Sequence, residues 1–116
     1  MPDITLYHNP RCSKSRQTLE LLRSNNVEPN VVEYLNEPRS LPQLRDILKA
    51  LDLPASAMIR KKEAEYNEAG LDDESSDEAI LEAIVRFPKL MERPIAVKGS
   101  KAVIGRPPEN ILELLE

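Results

Sequence analysis

The sequence changes its hydrophobic period twice within the first 35 residues, and this narrows the fold more than any other feature. Asp3-Ile4-Thr5-Leu6-Tyr7 reads as a short strand that ends at Asn9-Pro10. Helical spacing takes over near Cys12, with Leu19 and Leu22 on one face of a stretch from Ser13 to Asn25 that stops at Asn25-Asn26. Asn30 to Leu35, rich in valine, reads as a second strand. Two strands joined by a helix of this length lie parallel in one sheet, because a short turn can join only antiparallel neighbours. The segment is therefore expected to be a right-handed βαβ unit, and the class α/β.

The middle of the chain predicts helices. Ser40-Leu41-Pro42-Gln43 has the pattern of a capping box with a proline in the first turn, and Leu44, Ile47, Leu48 and Leu51 form an apolar stripe behind it. Pro54 interrupts this helix, and Ala57 to Tyr66 is expected to form a third. Ser75-Ser76-Asp77-Glu78 caps a fourth, whose stripe is Ile80, Ala83, Ile84 and Phe87 and which Pro88 closes. The acidic run Asp72-Asp73-Glu74 between two of these reads as solvated loop. In the tail, Ile95-Ala96-Val97-Lys98 and Lys101-Ala102-Val103-Ile104 flank Gly99-Ser100 as a two-residue hairpin, and Pro108 to Leu115 reads as a last helix. The resulting order, β-α-β-α-α-α-β-β-α, is a thioredoxin-like mixed sheet with a helical insert.

A chain of 116 residues, 41% of them hydrophobic, is expected to form a single domain over residues 1–116 with one core. With only 3% aromatic residues and no tryptophan, that core must be built from Leu, Ile, Val and Ala. Sixteen basic residues against 20 acidic ones leave a net charge of -4, which argues against non-specific binding to nucleic acid or to an anionic membrane. The start carries no apolar run of signal-peptide length, and nowhere do 18 apolar residues follow one another, so a cytoplasmic protein is expected. One cysteine and one histidine exclude an internal disulfide and a zinc site of the usual ligands.

That single cysteine, Cys12, falls where the first strand hands over to the first helix, at the end of a parallel strand where open α/β sheets tend to keep their ligands. Unpaired amides and the positive end of the helix dipole favour a thiolate there, and Arg11, Lys14 and Arg16 add positive charge. Such surroundings bring a thiol from about 8.5 to roughly 4–7, which makes it a nucleophile at neutral pH. The same turn can cradle an incoming oxyanion. The competing reading is an inert thiol that merely packs. Ser15 stands where a Cys-x-x-Cys oxidoreductase keeps its second sulfur, so an adduct on Cys12 must be resolved by an outside thiol.

Continuing the hairpin register outward from Lys98 and Lys101 sets Arg93 across from Arg106. Facing cations repel unless an anion lies between them, and two planar guanidinium forks suit a tetrahedral oxyanion. The alternative is that both arginines, each followed by a proline, splay into solvent. Arg60, in Met58-Ile59-Arg60-Lys61-Lys62, reads from spacing alone as surface charge. His8, four residues before Cys12, is suited to bias the thiolate, to relay a proton, or to make a structural hydrogen bond. Pro94 is a candidate for a cis peptide bond.

The run His8-Asn9-Pro10-Arg11-Cys12-Ser13-Lys14-Ser15-Arg16, followed by Ile59-Arg60, Arg93-Pro94-Ile95 and Gly105-Arg106-Pro107-Pro108-Glu109, resembles the glutaredoxin-dependent arsenate reductase family across nearly the whole chain. The resemblance implies an enzyme in which Cys12 attacks arsenate held by Arg60, Arg93 and Arg106 while His8 assists the thiolate. It further implies no bound cofactor, glutathione as co-substrate, glutaredoxin as partner, and release of arsenite. Ser13-Lys14 replaces the Gly-Thr that the resistance enzymes of this family usually carry after the cysteine, and adds a charge at the pocket mouth. Two other readings compete with reduction of arsenate. One is a regulatory module like the relatives that bind RNA polymerase, which generally keep a Cys-x-x-Cys pair; the other is a thiol transferase with a different substrate.

Overall fold

The computed structural model describes residues 4–115, and the chain divides into two compact units, one of residues up to Glu37 and from Arg93 onward, the other from Pro38 to Glu92. The first unit holds the sheet. Strand β1 (Ile4–Tyr7) is followed by helix α1 (Ser13–Ser24) and strand β2 (Asn30–Val32), and the tail supplies β3 (Ile95–Lys98) and β4 (Lys101–Ile104). The strands lie in the order β2-β1-β3-β4, with β1 parallel to β2 and antiparallel to β3. This is the expected α/β, thioredoxin-like mixed sheet with its βαβ opening. Asp3, expected to begin β1, lies outside the described residues.

Ile4 and Leu6 point from β1 to one face, where Leu22 of α1 and Ala96 of β3 meet Ile111 and Leu114 of the last helix. That last helix covers Pro108–Leu115 as expected but winds as a 3₁₀ helix. The Lys98 ammonium donates to the Leu114 carbonyl at 3.0 Å, capping one of its orphan acceptors. Strand β2 is shorter than the valine-rich run suggested, because Glu33 already enters a turn whose carbonyl accepts from the Asn36 amide at 2.9 Å.

The second unit is helical. In α2 (Leu41–Leu51) the Ser40 hydroxyl accepts from the Gln43 amide while Gln43 reaches back to the Ser40 amide, so the capping box is formed on both sides. Helix α4 (Asp77–Arg86) is capped by Ser76 and buries Ile80, Leu81, Ala83 and Ile84, and it packs against α2. The continuous helix expected over Ala57–Tyr66 is absent. A 3₁₀ turn at Ala55–Ala57 and the short α3 (Ala64–Glu68) flank an isolated bridge at Ile59 and a turn at Lys61–Lys62 instead. Ile59 bridges to Met91, the Arg60 amide donates to the Leu90 carbonyl at 2.7 Å, and the Glu92 amide donates to the Met58 carbonyl at 2.6 Å. Backbone groups spent on this ladder cannot also close helical turns, and burial of Met58, Ile59, Leu90 and Met91 outweighs local helix propensity. No helix among the described residues is long and apolar enough to cross a membrane.

In the sheet unit Gly105 is a point of close approach. A Cβ there would come within 2.7 Å of Thr18 Oγ1 on α1 and 2.8 Å of Pro94 Cγ. Its amide donates to the Pro94 carbonyl at 2.8 Å, so the backbone has no freedom to retreat. Gly105→Ala is expected to cost about 1–3 kcal/mol through overpacking, measured as a lowered urea midpoint at constant slope. An unchanged midpoint would show that Thr18 and Pro94 move aside.

Candidate active site

The site grows from the break between β1 and α1. The His8 amide extends the parallel pairing by donating to the Val32 carbonyl at 2.8 Å, and the chain then turns, with the Cys12 amide donating to the Asn9 carbonyl at 3.0 Å. Asn9 stabilises the turn a second time, since its Oδ1 accepts from the Arg11 amide at 3.0 Å. Cys12 occupies the N-cap of α1 in extended conformation, with φ -93° and ψ 123°, and the first turn of the helix contains no acidic residue. The cap position that usually holds an oxygen is thus given to a sulfur.

Cys12 is 8% exposed. Burial pushes its thiol pKa up, but the Ser15 backbone, the Arg93 guanidinium through hydrogen bond and charge, and the Lys14 backbone outweigh this and hold it below the ordinary thiol value. Arg106 joins from the other arm of the hairpin: its Nη2 lies 3.5 Å from Cys12 Sγ, and its Nε donates to the Arg93 carbonyl at 2.8 Å. The register explains why. Lys98 pairs with Lys101 and Ile95 with Ile104, and beyond the last pair the two arginines face each other. They do not splay apart; both converge on one sulfur. The peptide bonds at Arg93-Pro94 and Arg106-Pro107 are both cis, the first as expected and the second without a signal that singled it out.

His8 is 5% exposed. Burial lowers its pKa first of all; Glu33 pulls it up, and Arg16 and Arg23 on α1 push it down, with a net lowering. Its Nδ1 is 2.7 Å from the Ser15 hydroxyl. A cavity of about 330 Å³ lies on this side of the loop, lined by His8, Asn9, Pro10, Arg11, Glu33, Leu35 and Asn36. Ser15 is the residue whose part spacing did not reveal: its place three residues after Cys12 marked a missing sulfur, whereas it is a fully buried hydroxyl bound to His8 and to the Asn9 amide.

Arg60 belongs to the helical unit, where its backbone is held by the ladder to Leu90. Its side chain is half-buried, and Nη1 is buried with no hydrogen-bond partner among the described residues. A guanidinium kept in that state is poised for an acceptor. No cluster of three or more metal-ligating side chains occurs among the described residues.

A low-pKa thiol at a helix N-terminus with two guanidinium groups at its edge is suited to attack the central atom of a tetrahedral oxyanion while its oxygens are held. The model of the ArsC family matches residues 7–114. The chain is 54% identical to the uncharacterized protein YfgD of Escherichia coli K12 over 114 residues, covering 97% of this chain and 96% of that one. It is 47% identical to an arsenate reductase of Neisseria meningitidis, covering 99% of this chain and 100% of the other. Among solved structures, an arsenate reductase from Vibrio cholerae superposes with a TM-score of 0.91 at 44% identity, over 96% of each chain.

Arg93→Ala should move the pH profile of Cys12 alkylation upward. A thiol held below its ordinary value reacts as thiolate at lower pH, and this substitution removes both a hydrogen bond and a charge that favour the anion. Alkylation by iodoacetamide at pH 7 should therefore slow, and a profile unchanged from wild type would mean that Arg93 does not hold the thiol down.

Proposed function

Since the chain belongs to the ArsC family, we propose that it reduces arsenate to arsenite through a covalent adduct on Cys12. The observation that carries this reading is the convergence of Arg93 and Arg106 on a buried, readily ionised thiol. Arsenate is a tetrahedral oxyanion, and two forked cations neutralise its charge as the thiolate approaches. The family resemblance implies Arg60 as a third cationic ligand.

Reduction of arsenate consumes two thiols and yields arsenite, one disulfide and one water. Cys12 supplies one thiol. With no other cysteine in the chain, the second must come from outside. We assign it to glutathione: the thiolate displaces one oxygen from arsenic as water, glutathione attacks, and the sulfur-arsenic electron pair reduces As(V) to As(III). The product on the protein is a mixed disulfide of Cys12 and glutathione, which glutaredoxin reduces. No resident cofactor enters this scheme, and a cytoplasmic setting would supply both reductants.

The test is NADPH oxidation coupled through glutathione reductase, glutathione and glutaredoxin, with arsenate as the variable. Arsenate-dependent oxidation should appear in the wild type and vanish in Cys12→Ser. Arg93→Ala and Arg106→Ala should each weaken arsenate binding by roughly 1.5–3 kcal/mol, about ten- to hundredfold, if each loses a charge-assisted hydrogen bond. Unchanged arsenate affinity in both variants would sink the clamp. Glutathione-dependent turnover of organic disulfides that survives loss of the arginines would favour the thiol-transferase reading.

A further inference from the structure

Ser15 is 0% exposed, and its hydroxyl is held on two sides: it accepts from the Asn9 amide at 3.1 Å, and it lies 2.7 Å from His8 Nδ1. A serine hydroxyl carries one proton and can accept twice. Two arrangements satisfy the short contact to His8. If Nδ1 bore the proton, Ser15 would accept from both neighbours, and its own proton would be left in a closed interior with no other acceptor among the described residues. If Ser15 donates to Nδ1, every group is satisfied: the amide gives to the hydroxyl, and the hydroxyl gives to the ring. The second arrangement is favoured, because a buried donor without an acceptor forfeits its hydration for nothing.

We propose that Ser15 is a positioning residue for His8, donating to Nδ1 and so fixing the imidazole as the Nε2–H tautomer. The proposal rests on the reading of His8 as part of the active site. With Nδ1 taken as an acceptor, the remaining ring nitrogen, Nε2, carries the proton and is a hydrogen-bond donor. The imidazole is thereby held in one orientation and one tautomer behind the turn that carries Cys12. The surroundings agree: burial opposes an imidazolium, Glu33 just after β2 favours it, and Arg16 and Arg23 on α1 oppose it, with a net lowering.

The same hydroxyl also ties the two ends of the loop together. Asn9 and His8 come before the nucleophile and Ser15 after it, so Cys12 is carried on a turn closed by Ser15. Ser15→Ala removes the donor to Nδ1 and also leaves the Asn9 amide unpaired, whereas Ser15→Thr keeps the hydroxyl.

The decisive measurement is the nitrogen spectrum of ¹⁵N-histidine-labelled wild-type protein above the imidazole titration, since the chain holds a single histidine and its two ring nitrogens report the tautomer directly. A spectrum dominated by protonated Nε2 is expected. One dominated by protonated Nδ1 would overturn the proposal, and this reading needs neither a variant nor turnover of arsenate. In Ser15→Ala the two tautomers should mix. In the coupled assay kcat should fall roughly tenfold or more, with KM for arsenate within about twofold. Ser15→Thr should restore both spectrum and rate. A Ser15→Ala protein that keeps the wild-type tautomer would likewise overturn the proposal. Absence of arsenate turnover in the wild type, with the Nε2–H spectrum intact, would sink the arsenate reading and leave the Ser15–His8 assignment standing.

Discussion

Strand β1 is paired on both sides, with β2 parallel along one edge and β3 antiparallel along the other, and its buried backbone groups have no water to fall back on. Any slip of register on either side would strand donors and turn Ile4 and Leu6 away from the helix they cover. The end of β1 is thereby fixed against both neighbours. So is everything that leaves from it: the His8 amide still pairs with Val32, and four residues later Cys12 opens α1. The nucleophile is positioned by sheet pairing and not by a loop free to wander.

From the other edge the hairpin performs a matching task. Gly99, with φ +61°, allows the two-residue turn, and once Lys98 faces Lys101 the ladder runs without a bulge to Ile95 and Ile104. Arg93 and Arg106 are the next pair out. Their meeting at Cys12 depends on a turn at the far end of the hairpin, and β3 against β1 carries that register to the strand that launches the thiol. Two independent sets of backbone hydrogen bonds thus converge on one sulfur.

Much of this was legible because it depends on period and register, which sequence displays directly. The hairpin from residue 95 to 104, the capped helices after Ser40 and Ser76, and the facing arginines all follow from counting residues. The stretch from Ala57 to Tyr66 was not legible, since its helical propensity is overridden by a ladder to residues thirty positions away, and no local pattern announces a distant partner. The second part of Ser15 was hidden for a related reason. Its position named the atom that was missing, but its hydrogen bonds close only after β1 and α1 pack. The close approach at Gly105 and the second cis proline at Pro107 likewise belong to tertiary structure.

The bond between Arg106 Nε and the Arg93 carbonyl has a further consequence. Many functional arginines are aimed by a carboxylate, which orients the guanidinium but cancels much of its charge and ties its geometry to ionic strength. Here the aim comes from a neutral carbonyl within the same hairpin, which leaves the charge of Arg106 undiminished by that contact. Mobile ions can then weaken the pull on an anion, since screening acts on charge, while the bond to the neutral carbonyl is one they weaken far less. Selection for orientation and selection for field strength are separated, so substitutions in the surrounding surface can retune the potential of this site without disturbing where its donors point.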